Sequence, residues 1–133
     1  MGAGGETITP GAERAPGGGG QWAERERLPR VEPRPGIEVR VVSGEQMTSC
    51  WIRIAPDTEL PAHAHPHEQI GVVVEGAIAV TIAGETRRVG PGMAYVVQGG
   101  VEHSGRTGPE GVLVVESFAP VREEYLDAAR RGR

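Results

Sequence analysis

The chain has 133 residues and a formal net charge of −4 at pH 7, which is enough for one domain and excludes a two-domain enzyme. All 14 basic residues are arginine, and neither lysine nor asparagine occurs, so Schiff-base lysine chemistry, a P-loop lysine and a papain-like Cys-His-Asn site are excluded. The acidic excess argues against nucleic acid as a partner.

Cys50 is the only cysteine. A single thiol excludes an intrachain disulfide and a zinc site with several thiolates, and it fits a reducing compartment. The longest apolar runs, such as residues 112–115, are far shorter than a membrane span or a signal-peptide core. We therefore expect a cytoplasmic protein with no membrane partner.

Residues 1–36 are predicted to form a Gly- and Pro-rich tail. Met1 to Gly20 carries almost no large apolar residue, so burial cannot offset the entropy of ordering it, and we expect disorder there. From Gln21 to Gly36 the tail is charged and interrupted by proline, with Trp22 and Leu28 as its large apolar side chains. This end either docks on the folded domain or on a partner subunit, or makes no contact. The folded domain is predicted to span residues 37–133.

Beyond the tail, short apolar runs separated by Gly and Pro predict strands and tight turns. The final segment, Val121 to Arg131, has the periodicity of a helix. This arrangement predicts an all-β sandwich or barrel with a short C-terminal helix. Apolar residues on both faces of two of the strands favour a homodimer that buries the surplus. In chain order, the predicted strands are 37–42, 47–55, 69–74, 77–83, 86–89, 93–97, 103–107 and 112–118.

Three of the four histidines lie together, directly after a proline-bounded turn. His63 and His65 are two residues apart on a segment expected to be extended, where the period of two points both side chains to one face. Gln69 follows with the same parity. Two imidazoles and an amide oxygen then converge on one point, and imidazole suits Zn, Cu, Fe or Ni. Packed and hydrogen-bonded histidines are the alternative.

Two segments resemble the two sequence motifs of the cupins: 60–76, LPAHAHPHEQIGVVVEG, and 84–103, GETRRVGPGMAYVVQGGVEH. The resemblance implies the cupin fold, a jelly-roll-like β-barrel of two packed antiparallel sheets. It also implies one divalent transition metal, such as Zn, Ni, Fe, Mn or Cu, held by His63, His65, Gln69 and His103.

Gln69 stands where the cupin family usually has a carboxylate. Three neutral imidazoles and a neutral amide leave the charge of a divalent ion uncompensated, which strengthens its Lewis acidity. Glu68 has the opposite strand parity and is expected to point away. His67 follows a proline that breaks the strand, so we expect it at the rim of the site.

Glu116 lies by alternation on the apolar face of the last strand, together with Phe118. Such a carboxyl group is either at a sheet edge or paired with Arg53 or Arg122. Alternatively it points into the barrel mouth, where burial raises its pKa until it exchanges protons near neutral pH. Phe118 would then wall the cavity and Arg122 would bind a substrate carboxylate; their alternatives are core packing and a solvated helix start. Tyr95 is expected to pack in the barrel rather than to offer a hydroxyl to the site.

The HxHPHEQ and GGVEH segments and the ending ESFAPVREEYL resemble the small cupins of pectin and alginate breakdown, which convert 4,5-unsaturated uronates to linear ketouronates. This resemblance implicates Glu116, Phe118 and Arg122 in turnover, although the group usually has Asp at the first position. It favours a metal-dependent isomerase, ring-opening enzyme or cyclase acting on a small carboxylated, oxygenated substrate, such as an unsaturated uronate or a natural-product intermediate. A non-haem Fe(II) or Cu(II) dioxygenase and a non-catalytic metal- or small-molecule-binding module are the alternatives.

Overall fold

The computed structural model describes residues 8–132, and β-strands dominate it. A 3₁₀ turn over Arg25–Arg27 precedes the main strands. The strands are β1 Glu13–Arg14, β2 Gln21–Trp22, β3 Val31–Arg34, β4 Ile37–Ser43, β5 Thr48–Ile54, β6 Glu59–His63, β7 Glu68–Ile82, β8 Glu85–Val89, β9 Ala94–Val97 and β10 His103–Ala119; the helix α1 spans Glu123–Arg131.

The strands β3 to β10 pair in an antiparallel ladder with the order β3-β4-β5-β10-β7-β8. β6 pairs with the first half of β10, and β9 pairs with the first half of β7. Inward side chains from both halves of the ladder share one hydrophobic core, as the predicted all-β cupin barrel requires. In β4 the burial alternates residue by residue, which is the pattern of a strand with one face on the core.

β7 and β10 are each continuous where the sequence predicts two separate strands. Both bend at glycines, Gly76 and Gly111, which have φ of 73° and 69°. A Cβ at Gly76 would collide with the carbonyl oxygen of Gly111, so the two neighbouring backbones approach each other at a point that only glycine permits. The predicted turns there are therefore bends, and each long strand passes from one half of the ladder to the other.

Two parts of the tail contact the barrel: the end from Gln21 docks on it, which is one of the expected alternatives, and Thr9, in the stretch expected to be disordered, also binds it. β3 pairs with β4, so the ladder begins before the predicted boundary at Ile37. Thr9 Oγ1 exchanges hydrogen bonds with the backbone of Ser43 (2.9 and 3.2 Å), and Leu28 is only 3% exposed. These hydrogen bonds and this burial offset the conformational entropy lost when the tail becomes ordered, which the composition alone does not indicate. Trp22 is 71% exposed and anchors nothing; residues 1–7 lie outside the described part.

The helix α1 begins at Glu123, two residues after the predicted start, and buries Leu126 and Ala129. It contacts β3 and β4, so it covers the side of the barrel next to the tail. Among residues 8–132, no helix is long and apolar enough to cross a membrane.

Candidate metal centre and its cavity

The structure brings three histidines together at one end of the barrel. His63 ends β6, His103 begins β10 as its register partner, and His65 lies in the loop between β6 and β7. One ring nitrogen from each of the three lies within 4.8 Å of the others. The spacing of the motif predicts that His63 and His65 converge, and His103 joins them as the cupin resemblance implies.

Hydrogen bonds fix the tautomer of each of these three rings. The Nδ1 atoms of His63, His65 and His103 lie 3.0, 3.1 and 2.9 Å from the carbonyl oxygens of Pro61, His67 and Val101. A carbonyl oxygen only accepts, so each Nδ1 carries the hydrogen and each neutral ring presents a lone pair at Nε2. Histidines that bind a metal usually donate their other ring N–H in this way, often to a backbone carbonyl, which fixes the orientation of the ring.

The lone pair of His103 has no protein partner. Among the described residues, Nε2 of His103 is buried and has no hydrogen-bond partner. Burial is the main cause that lowers the pKa of both His65 and His103, so these rings stay neutral and their lone pairs remain available. Together these features fit the binding of a divalent metal ion by the histidine centre.

Gln69 is the fourth residue of the predicted ligand set. Its side chain is buried, with Oε1 3.0 Å from His65 Nε2, and its Nε2 donates to Glu116 Oε2 at 2.8 Å. Because the amide hydrogens point to Glu116, Oε1 faces the lone pair of His65, and two acceptors meet without a proton between them. A cation relieves that repulsion, so the geometry of Gln69 fits a metal ligand as well.

Glu116 lies inside the barrel on β10, which has β5 on one side and β7 on the other. It is therefore not an edge residue, and no ion pair within residues 8–132 includes it: Arg122 pairs with Glu124 and Arg53 with Glu75. Burial raises the pKa of Glu116, and the hydrogen bonds that it accepts oppose this shift. Both partners expected for a structural salt bridge are thus engaged elsewhere.

Tyr95 is the site residue that sequence reasoning missed. Its hydroxyl donates a hydrogen bond to Glu116 Oε2, and burial raises its pKa, so the phenol keeps its proton and acts as a donor. Its parity with Val97 is the only sequence signal that turns it inward. That signal does not distinguish a packed tyrosine from one in the site.

Arg122 lies just before α1 and is only 7% exposed. Its guanidinium carbon lies 4.7 Å from the ring centre of Phe118 and 4.4 Å from that of Tyr125. Its Nη2 is 3.3 Å from Glu124 Oε1. Stacking holds the planar group in place at the cavity wall, so Arg122 is not the solvated helix start of the alternative interpretation.

Phe118 packs in the core next to the histidine centre. It is 1% exposed, its ring meets that of His65 edge to face at 5.9 Å, and it is not among the residues that line the cavity. Its position therefore matches core packing rather than the expected cavity wall.

His67 lies beside the histidine centre, with its Nε2 3.2 Å from the carbonyl oxygen of Val121.

A cavity of about 400 Å³ opens next to the histidines. Its lining combines polar and aliphatic side chains, so the cavity fits a small oxygenated molecule. The polar lining residues include His63, Gln69, Tyr95, His103, Glu116, Arg122 and Glu124, and the aliphatic ones include Ile37, Ile52, Ile54, Leu60, Ile78 and Val80.

Comparison with proteins of known sequence finds one informative relative. The pectin degradation protein KdgF of Dickeya dadantii (strain 3937) is 29% identical over 104 residues, which are 76% of this chain and 94% of that protein. Among solved structures, KdgF from Halomonas sp. has a TM-score of 0.73 at 28% identity, covering 77% of this chain and 96% of its own.

An RmlC-like cupin from Shewanella frigidimarina NCIMB 400 also has a TM-score of 0.73, at 24% identity, and covers 77% of this chain and 93% of its own. At that identity the likeness concerns the fold alone. The family model of the cupin domain, Cupin_2, matches residues 50–116, a range that contains the three histidines, Gln69 and Glu116. The chain therefore belongs to the cupin domain family.

Proposed function

We propose that this protein is a metal-dependent isomerase that opens the ring of a 4,5-unsaturated uronate to the linear ketouronate. The observation that carries the proposal is the place of Glu116: a carboxyl group that forms no ion pair with residues 8–132, in the same cavity as a histidine centre and an arginine stacked on aromatic rings. The similarity to the pectin degradation protein supports the substrate class.

A divalent ion bound by His63, His65, Gln69 and His103 would supply Lewis-acid polarisation of a substrate oxygen. The reaction itself is an isomerisation and needs no oxidant or reductant. The hydroxyl at C1 loses its proton, the bond from C1 to the ring oxygen breaks, and that oxygen keeps the electron pair. C1 becomes an aldehyde, C4 gains a proton and C5 becomes a ketone.

In this proposal Glu116 moves the proton. Its carboxyl group lies in the cavity wall, and burial raises its pKa from the ordinary value. A carboxyl group with a raised pKa exchanges protons at a pH closer to neutrality than an exposed one. The role is compatible with either proton transfer of the isomerisation, removal from the C1 hydroxyl or delivery to C4.

Arg122 binds the substrate carboxylate in this proposal. Its planar fork packs against two aromatic rings, and its present partner Glu124 has a side chain that is 69% exposed. A substrate carboxylate therefore has to displace only a carboxylate that already faces solvent. Arg122→Lys keeps the charge but loses the fork and the stacking, so we expect a raised KM with a smaller change in kcat.

The test uses protein freed of metal and reloaded separately with Zn, Ni, Fe, Mn or Cu. Loss of the ultraviolet absorbance of the conjugated C4–C5 double bond measures turnover, NMR identifies the linear product, and a saturated uronate is the control. Turnover that requires metal supports the proposal. Oxygen consumption with an oxidised product would instead establish the dioxygenase, and binding without turnover of any unsaturated uronate would establish a binding module.

A further inference from the structure

Glu116 accepts both of its hydrogen bonds on the same oxygen. Tyr95 Oη and Gln69 Nε2 both donate to Oε2. The other oxygen, Oε1, accepts none from residues 8–132, and it is not closed off from solvent. Since Glu116 lines the cavity, its two oxygens are in different situations: one is tethered and the other is free.

The tether depends on a row of residues across the sheet. Glu116 is the register partner of Gly71 on β7, and Gly71 is the register partner of Tyr95 on β9. Tyr95 and Glu116 are thus two strands apart, about 10 Å between backbones. A tyrosine side chain bridges that gap only by lying across the residue between them.

Gly71 provides the room for this crossing. A Cβ at Gly71 would overlap the Tyr95 ring at Cζ and crowd its hydroxyl oxygen. Unlike the glycines at the strand bends, Gly71 has no positive φ, so its backbone conformation does not require glycine. The reason for glycine here is therefore the tyrosine that lies over it.

We infer that Tyr95, seated over Gly71, is a positioning residue for Glu116: with Gln69 it holds Oε2 and so directs Oε1 to the substrate as the proton-transferring atom. The same arrangement links the metal ligand Gln69 to the proton carrier. This inference rests on the proposed function for the role of Oε1, while the tether itself concerns only the positions of side chains.

The first readout needs no substrate. Crystal structures of metal-loaded Tyr95→Phe and Gly71→Ala are compared with the wild type, with Ser117→Ala as the control. Ser117 is the neighbour of Glu116 on β10, and its hydroxyl bonds to Ser49 at 2.8 Å. In Tyr95→Phe we expect the Glu116 carboxyl group to turn or to occupy several positions. In Gly71→Ala we expect a displaced tyrosine ring that no longer reaches Glu116.

The second readout separates positioning from stability. With an unsaturated uronate, we expect Tyr95→Phe to lower kcat about tenfold or more while KM and metal content stay within about twofold, since proton transfer is sensitive to misplacement. Gly71→Ala lowers kcat similarly, and the double variant is no slower than Tyr95→Phe alone, because the same tether is lost. Ser117→Ala retains wild-type kcat.

Two outcomes overturn the inference. One is a Glu116 carboxyl group that keeps its single position in Tyr95→Phe; the other is a double variant whose losses simply multiply. If the wild type fails to convert the uronate, the proposed function fails, and the crystal structures still decide whether Tyr95 positions Glu116.

Discussion

Replacing the Glu116 carboxyl group by an amide separates its chemistry from its place in the fold. Both hydrogen bonds to Glu116 arrive at Oε2, so in Glu116→Gln the amide oxygen accepts both and the amide nitrogen takes the position of the free oxygen. No cation is left unpaired, because Arg122 pairs with Glu124. We therefore expect the free energy of unfolding to change by less than about 1 kcal/mol.

The expected effect on turnover is much larger. The amide exchanges no proton, and loss of a general acid or base typically lowers kcat by a factor of about 10² to 10⁴. A hundredfold loss corresponds to about 2.7 kcal/mol in the activation barrier. Glu116→Ala differs in stability, because it leaves the Tyr95 hydroxyl and the Gln69 amide without their acceptor, at about 1–3 kcal/mol for each donor that water does not reach.

Urea denaturation at pH 7, metal analysis and turnover of the unsaturated uronate measure these effects. Glu75→Gln is the matched control, since it makes the same charge change at an exposed side chain paired with Arg53. Glu116→Gln with normal turnover would refute the proton-transfer role. If that variant also lost several kcal/mol of stability, Glu116 would be a structural partner instead.

Further predictions concern the metal, the assembly and alkaline stability. His103→Ala removes one lone pair from the histidine centre, so we expect metal content well below one equivalent and no change of melting temperature on adding a chelator. With free metal at one hundred times its Kd, the free energy of unfolding of the wild type rises by about 2.7 kcal/mol and its melting temperature by roughly 10 °C. A wild-type melting temperature that does not change with chelator contradicts a metal bound to the native state. Ile70, Val72 and Val74 on β7 are each nearly half exposed, so we expect a homodimer by light scattering at micromolar concentrations and a monomer for Val72→Glu; a monomeric wild type contradicts this. Burial raises the pKa of Tyr125 to about 12. The unfolded chain ionises this phenol near pH 10, so stability falls as pH rises from 10 to 12, and Tyr125→Phe removes roughly 2–3 kcal/mol of that loss; equal pH slopes of the unfolding free energy for both proteins would disprove this.

Local patterns in the sequence predict much of the histidine centre and the inward face of the last strand. The period of two in a strand is a property of the backbone, so alternation alone orients Val112, Val114 and Glu116 inward, and the spacing of His63, His65 and Gln69 brings them toward one point. The cupin resemblance adds His103, which lies on a different strand. These expectations needed no knowledge of which strands pair.

The unpredicted features depend on what lies opposite a residue. At the bends of β7 and β10 the two backbones lie close together at Gly76 and Gly111, although the same glycines read along the chain indicate turns. The tail packs because Thr9 finds a partner in Ser43, 34 residues away. Composition describes the entropy lost on ordering a segment and contains no information about such a partner.

The contacts of Glu116 show the same division most clearly. Its inward direction follows from strand alternation, but its partners Gln69 and Tyr95 are 47 and 21 residues away and reach it through the register of three neighbouring strands. A shift of one residue in that register would turn Tyr95 to the opposite face of the sheet. The sequence by itself therefore determined that Glu116 turns inward, and only the pairing of the strands decided which side chains it touches.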